Sequence, residues 1–287
     1  MAKSLKSEWK QVERIVGGAL SEDLISADVT TEALIPTNIR GKASILVKRD
    51  GIVAGIEVAK EVFRQVDSSV RFKALVKDGA KVVKGQVIAT VRGRVASILK
   101  GERTALNFLQ HLSGIATETA RYVDAVSGTK AVITDTRKTL PGLRMLEKYA
   151  VRVGGGKNHR LNLADGVLIK DNHLAALRSR GIRLCEVVKR ARKKAPQTLK
   201  IEVEVGSVEE ALEALSAGVD VIMLDNMKLE DMRKVVKLVK GRALLEASGG
   251  ITLDNVRSVA ETGVDFISIG ALTHSSRALD MSLELEP

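Results

Sequence analysis

From about residue 130 onward the chain repeats one pattern: a short run of Val, Ile and Leu that stops at a polar or small residue. The runs are AVITD, ending at Asp135; GVLIK, at Lys170; KIEVEV, through Glu204; VIMLD, at Asp225; LLEAS, at Ser248; and FISIG, at Gly270. Unbroken apolar runs of this length predict strands buried on both faces, as in a parallel sheet. Between the later runs, Val208, Ala211, Leu212 and Leu215 recur at helical spacing, as do Met232, Val235, Val236 and Val239. Gly218, Gly241 and Gly263 stand where those helices should stop. Alternating strands and helices predict βα units, and the phrases AGVDVIMLD and TGVDFISIG repeat such a unit. The fold class is therefore α/β, with a (β/α) barrel of TIM-like type. Ligands in such sheets bind at the carboxyl ends of the strands, so Asp135–Lys138, Lys170, Glu204, Asp225, Ser248 and Gly270 should converge on one face.

The N-terminal part reads differently. LKSEWKQVERIVGGAL predicts an amphipathic helix, and KASILVKRDGIVAGI a hairpin with the charged KRDG turn between two apolar runs. VRFKALVKDGAKVVKGQVIATVRGRVASIL, rich in Val, Lys and Gly, predicts small β structure. Its DGAKVVKGQVIATVRG portion resembles the biotinyl/lipoyl hammerhead, but without the modified lysine and its flanking residues, which disfavours a carrier function. A long helix over GERTALNFLQHLSGIATETARYVDAV should lead into the barrel. The expected domains are 1–110, with 276–287 returning to it, and a barrel over 111–275.

Composition adds bounds. The 287 residues are 45% hydrophobic but only 2% aromatic, so small aliphatic side chains fill a core of globular size. No apolar run is long enough for a transmembrane helix, and the charged N-terminus lacks an apolar signal core. With the lone Cys185, these features lead us to expect a cytoplasmic protein without an internal disulfide and without membrane attachment. The net charge of +11 invites a nucleic-acid reading. Much of the excess, however, lies in helical stretches such as RLCEVVKRARKKAP, and aromatic stacking platforms are nearly absent. Small, highly anionic substrates fit the charge equally well.

The chemistry gathers at the strand ends. Arg137 and Lys138 follow a strand and precede a Pro-Gly turn; an Arg fork grips a carboxylate or phosphate, and Lys adds a mobile charge. In GGGKNHR, glycines would let backbone N–H groups approach an anion, with His159 and Arg160 as further donors. Lys170 ends a strand beside Asp171, Asn172 and His173. Glu202 and Glu204 alternate, so both should face the barrel interior. With Asp225 they could hold Mg²⁺, form ion pairs with Lys138 and Lys170, or do both. The histidines show no zinc spacing. EASGGIT and SIGALTH end the last two strands as glycine-rich loops, a phosphate-type pair, with helix N-termini expected to add favourable dipoles. No nucleophile–base pair and no strand–GxGxxG–helix unit is present, which argues against covalent acyl transfer and dinucleotide binding.

ERTALNFLQHLSGIAT, DTRKTLPGLRMLEKYAVRVGGGKNHRLNLADGVLIKDNH, IEVEV, IMLDN and EASGGITLDNV…GVDFISIGALTHS together resemble the quinolinate phosphoribosyltransferase family over nearly the whole chain. The resemblance implies an N-terminal α/β sandwich plus an open (β/α) barrel. It also implies transfer of phosphoribose from 5-phosphoribosyl 1-pyrophosphate to quinolinate with decarboxylation, using Mg²⁺. It places quinolinate on Arg137, His159, Arg160 and Lys170, and has Arg103 reach a neighbouring subunit's site in a homodimer or larger assembly. Lys138, Glu204 and Asp225 fall around ribose, pyrophosphate and metal; Lys138, Lys170, Glu204 and Asp225 form the catalytic set. Ser248, Gly249, Gly250 and Gly270 fall on the 5-phosphate. The chain departs from the family pattern after His-Arg, where Leu161-Asn162 stand in place of an aromatic and Gly. The rival readings are a same-fold enzyme acting on another anionic ring and a basic nucleic-acid-binding protein.

Overall fold

The structure, a computed structural model, describes residues 5–24 and 27–286. By internal contacts the chain divides into two units, one of Met1–Ala120, Thr139–Gly155 and Ala271–Pro287, the other of Arg121–Lys138 and Gly156–Gly270.

In the first unit a 3-10 turn, Leu5–Glu8, leads into α1 (Trp9–Asp23), which buries Val12, Val16 and Leu20 at four-residue spacing. α2 (Val29–Leu34) is capped by Asp28, whose carboxylate accepts the Thr31 N–H at 2.9 Å. Then come β1 (Arg40–Val47), β2 (Gly51–Ile52), α3 (Ile56–Val66), β3 (Arg71–Ala74), β4 (Lys81–Val82), β5 (Val87–Arg94) and the long α4 (Val95–Ala125), which runs unbroken through residue 110. The four-stranded antiparallel sheet has the order β12-β1-β5-β3, β12 (Met281–Glu286) coming from the far end of the chain. The expected KRDG hairpin does not form. Both edges of β1 are taken, by β5 and β12, and β2 pairs with β4 instead. α3 meets the sheet through stacked Phe63 and Phe72 rings, 5.9 Å apart, and Gly101 of α4 gives the Phe63 ring room. α5 (Arg144–Val153) and α11 (Ala271–His274) complete this unit.

The second unit contains β6 (Val132–Thr134), β7 (Val167–Ile169), α6 (Asp171–Arg178), α7 (Leu184–Lys194), β8 (Ile201–Val205), α8 (Val208–Ser216), β9 (Val221–Asp225), α9 (Leu229–Val239), β10 (Leu244–Ser248), α10 (Val256–Ala260) and β11 (Phe266–Ser268). Its six strands are parallel in the order β6-β11-β10-β9-β8-β7. Chain-order neighbours thus pair from β7 to β11, and β6 joins β11. Among the described residues β6 and β7 do not pair, so the barrel is open between them. Lys157 adds a single parallel bridge at Thr134, on the free edge of β6. Gly218, Gly241 and Gly263 do stop their helices, with φ of 75°, 73° and 95°. The buried stripe of α8 is narrower than its sequence suggests: Ala211 and Ala214 are covered, whereas Leu212 is exposed, because close packing beside α7 and α9 selects small side chains. Among the described residues no helix is long and apolar enough to cross a membrane.

Gly154 has a structural task. Its φ of −74° suits any residue, but an added Cβ would press on the Ala116 carbonyl oxygen and lie 2.7 Å from Thr119 Cβ. A backbone carbonyl inside α4 cannot yield. Gly154→Ala is expected to lower stability by about 1–3 kcal/mol, read from the denaturation midpoint; an unchanged midpoint would contradict this packing.

Candidate active site

The strand register sorts the barrel interior into rows. Paired residues of neighbouring parallel strands share a face. One row holds Glu202, Val221 and Leu244; the next holds Glu204, Met223, Glu246, Phe266 and Val132; the last holds Asp225, Ser248, Ser268 and Thr134. The alternate positions, Ile201, Val203, Val205, Ile222, Leu224, Leu245, Ala247 and Ile267, are buried on the other face. The interior therefore becomes fully polar in the row at the carboxyl ends, where the sequence placed the site.

The turn after β6 is built on a buried aspartate. Asp135 accepts the His159 N–H at 2.9 Å and a side-chain hydrogen bond from Asn158, while its own N–H donates to the Lys157 carbonyl at 3.2 Å. This fixes His159 and Arg160 over the barrel. The glycine run does not form the expected anion nest: the N–H groups of Gly154, Gly155 and Lys157 donate to the carbonyls of Ala150, Arg152 and Ile133. Helix termination and the approach to α4 explain Gly154 and Gly155 instead.

Two charge clusters result. In the first, His159 Nε2 lies 3.1 Å from Glu202 Oε2 and 3.6 Å from Glu246 Oε2. Arg160, half-buried, donates from Nη1 to the Gly166 carbonyl at 3.3 Å. Burial and the nearby Arg137 charge push its guanidinium down, and Glu202 opposes them. These groups border a cavity of about 190 Å³ lined also by Thr134, Phe266 and Val221. In the second cluster, burial and then the Asp225 charge push the half-buried Glu204 carboxyl up, while Lys170 pulls it back. Glu204 and Asp225 line a cavity of about 390 Å³ with Asp171, Asn172 and Arg178. The N–H of Lys170 donates to His173 Nδ1 at 3.0 Å, fixing the start of α6. The sequence allowed Glu202 an ion pair with Lys138 or Lys170; it contacts His159 instead.

Ser248 ends β10, and Gly249 and Gly250 follow with φ of 86° and 62°. Asn226, itself left-handed at φ 53°, crosses under them: its N–H donates to the Ser248 carbonyl at 2.9 Å, and a Cβ at Gly249 would collide with its carboxamide. Only glycine fits there. Gly270 lies just beyond β11. The helices after these loops, α10 and α11, have five and four residues, so they lack the aligned peptide dipoles expected of helix N-termini at a phosphate. Lys138 is exposed in the loop after β6, and its N–H donates to Thr136 Oγ1 at 3.0 Å. Leu161 and Asn162 sit in an exposed turn closed by the Asp165 carboxylate. Arg103 is exposed on α4 and belongs to the first unit, unlike every other candidate. A larger cavity, about 690 Å³, belongs wholly to that unit and is lined by none of the candidate residues.

Sequence reasoning passed over Glu246 and Asn158 as site residues, and placed Asp135 on the binding face without a role. Glu246 could have been found as the one carboxylate within LLEAS. Burial and the Glu202 charge raise its carboxyl to about 7 from an ordinary 4.5, with His159 pulling the other way. Between those values the folded protein keeps a proton that the unfolded chain releases, so this group makes stability fall as pH rises. Glu246→Gln is expected to narrow the gap in melting temperature between about pH 5 and about pH 8; an unaltered gap would contradict the raised value.

Comparison with known proteins shows the family. The family profile described as quinolinate phosphoribosyl transferase, C-terminal domain, matches residues 115–284, and that of the N-terminal domain matches residues 28–113. The chain is 46% identical over 284 residues to the nicotinate-nucleotide pyrophosphorylase (carboxylating) of Mycobacterium leprae, covering 97% of this chain and 98% of that one. It is 44% identical over 275 residues to a Bacillus subtilis protein named as a probable enzyme of the same kind, covering 96% and 93%. The crystal structure of NadC from Streptococcus pyogenes superimposes with a TM-score of 0.91 at 43% identity, covering 96% of each chain.

Proposed function

The chain belongs to the quinolinate phosphoribosyltransferase family, and from that premise we propose how its residues divide the work of the reaction. The enzyme is a pentosyltransferase of NAD biosynthesis, a nicotinate-nucleotide pyrophosphorylase of the carboxylating type. It joins quinolinate to the phosphoribosyl group of 5-phosphoribosyl 1-pyrophosphate and releases pyrophosphate and CO₂.

Both substrates are polyanions, and the two clusters differ accordingly. Arg137, His159, Arg160 and Lys170 take the two quinolinate carboxylates; the observation that carries this reading is that His159 and Arg160 line one cavity, with the Arg137 charge near enough to add to burial in pushing the Arg160 guanidinium down. Like charges gathered in a half-buried site attract an incoming anion, which suits them to binding a dicarboxylate. Ser248, Gly249, Gly250 and Gly270 receive the 5-phosphate, where left-handed glycines leave space for close backbone approach. Lys138 faces the pyrophosphate.

Glu204 and Asp225 suit a hard divalent cation: they are oxygen-only donors, and their charges oppose each other in a partly buried cavity. They would hold Mg²⁺, which when bound supplies charge neutralisation for the departing pyrophosphate. The same carboxylates stabilise positive charge developing on the ribose as the C1–O bond breaks. The pyridine nitrogen is the nucleophile, so the protein needs none. Once alkylated, the ring keeps at C2 the electron pair of the bond to its 2-carboxylate as CO₂ leaves, and C2 then takes up a proton from water. The protein's work is positioning and charge neutralisation. Arg103, exposed on α4, completes the site of a second copy in a homodimer or larger assembly.

Arg137→Ala tests the carboxylate assignment. Loss of a charge-assisted pair is expected to raise the KM for quinolinate about tenfold or more, with the KM for phosphoribosyl pyrophosphate little changed. Equal quinolinate KM values in variant and parent would sink this role for Arg137.

A further inference from the structure

Glu246 is costly where it stands. It shares its row inside the barrel with Glu204, Met223, Phe266 and Val132, its direct neighbours being Met223 and Phe266, and only 3% of it is exposed. Its Oε1, like that of Glu202, is buried without a hydrogen-bond partner among the described residues. Two nearby carboxylates in such a place oppose each other, and a methionine or leucine would fit the row more stably. Packing therefore does not account for Glu246.

Its neighbour does. Among the described residues, His159 Nε2 lies 3.1 Å from Glu202 and 3.6 Å from Glu246. A hydrogen on Nε2 suits the nearer group, Glu202, as acceptor. Asp135 holds the backbone of His159 from the other side. We propose that Glu246, standing behind Glu202, is a positioning residue for recognition of the dicarboxylate substrate: Glu202 and Glu246 together orient the His159 ring through Nε2, so that its other edge can meet a substrate carboxylate. The proposal rests on the reading of His159 as a quinolinate-binding residue.

The groups facing the ring are consistent with this. Asp135 and Arg137 come from the end of β6 and its loop, Arg160 from the same turn, Glu202 from β8 and Glu246 from β10. β9 offers the apolar Met223 at this level, and β11 offers Phe266 and Ser268. The ligand atoms of His159, Glu202 and Glu246 also lie within 4.8 Å of one another, a spacing a metal ion could contract. Arg160 and Arg137 beside them already supply positive charge, and they would repel a second cation. An imidazolium, tied down by its backbone, answers the carboxylates without adding a mobile ion.

The test uses the whole enzyme. With four histidines in the chain, the His159 imidazole signal is assigned by NMR from its loss in His159→Gln. Glu246→Gln keeps the shape and removes the charge. In that variant the His159 titration midpoint should fall by about one unit, and the pH above which the quinolinate KM climbs should fall with it. The KM for phosphoribosyl pyrophosphate should stay put, and Glu246→Asp should restore part of the shift. Glu246→Met, matched to its neighbours Met223 and Phe266, should lower the His159 midpoint as Glu246→Gln does. An unmoved His159 midpoint and KM profile in both neutral variants would overturn the proposal. A quinolinate KM unaffected by His159→Gln would instead overturn the role of His159 itself, whatever Glu246→Gln does.

Discussion

Asp225→Asn and Glu204→Gln are each expected to lower kcat about 100- to 1000-fold, the size of effect seen when a group stabilising transition-state charge is removed. Glu204 is already pushed up by burial and by Asp225, with Lys170 alone among its strongest influences drawing it down. That arrangement disfavours both charges together, and on the proposed reading Mg²⁺ and the developing ribosyl charge would relieve it. Each amide keeps the volume and most hydrogen bonds but halves the anionic charge. Weaker Mg²⁺ dependence should accompany the lost kcat. Substrate affinities should move far less. Full turnover in either variant, measured at saturating Mg²⁺, would remove Glu204 and Asp225 from the catalytic set.

Arg160→Ala is expected to raise the quinolinate KM about 100-fold, more than Arg137→Ala. Arg160 stands at the wall of the cavity of about 190 Å³, desolvated enough that burial is the largest influence on its guanidinium. A charge-assisted pair in such a place contributes about 1.5–3 kcal/mol, and its loss also leaves a substrate carboxylate unmatched. Arg160→Lys should recover only part of the affinity, because a point charge cannot reproduce the two-pronged contact of a guanidinium. If the lysine variant binds quinolinate as well as the parent, the contact is simple charge and the fork geometry is irrelevant.

Much of the barrel was legible in the chain because strands buried on both faces leave unbroken apolar runs. VIMLD and LLEAS coincide with β9 and β10 residue for residue. The inward turn of Glu202 and Glu204 followed from alternation alone and agrees with their shared row direction. Glu246 escaped notice for the same reason the strand was easy to see: a single carboxylate inside LLEAS reads as part of an apolar run. Its inward direction emerges only from pairing with Met223 and Phe266. The glycines at 154 and 155 misled because their constraint is long-range; the Ala116 carbonyl that excludes a side chain at Gly154 is invisible to local pattern. The hairpin at KRDG failed for a related reason, since the second partner of β1 is the last strand of the chain. Asp135 looked like a strand's end and proved to be the anchor of the His159 turn.

The most direct test of the account is a stoichiometric assay of the purified enzyme with quinolinate, 5-phosphoribosyl 1-pyrophosphate and Mg²⁺, with nicotinate replacing quinolinate in a parallel reaction. Mononucleotide and CO₂ are both quantified. The expected result is equal amounts of the two products from quinolinate and no turnover of nicotinate. Turnover of nicotinate without CO₂, or no product from either ring, would contradict the assignment of the cationic cluster to a dicarboxylate substrate.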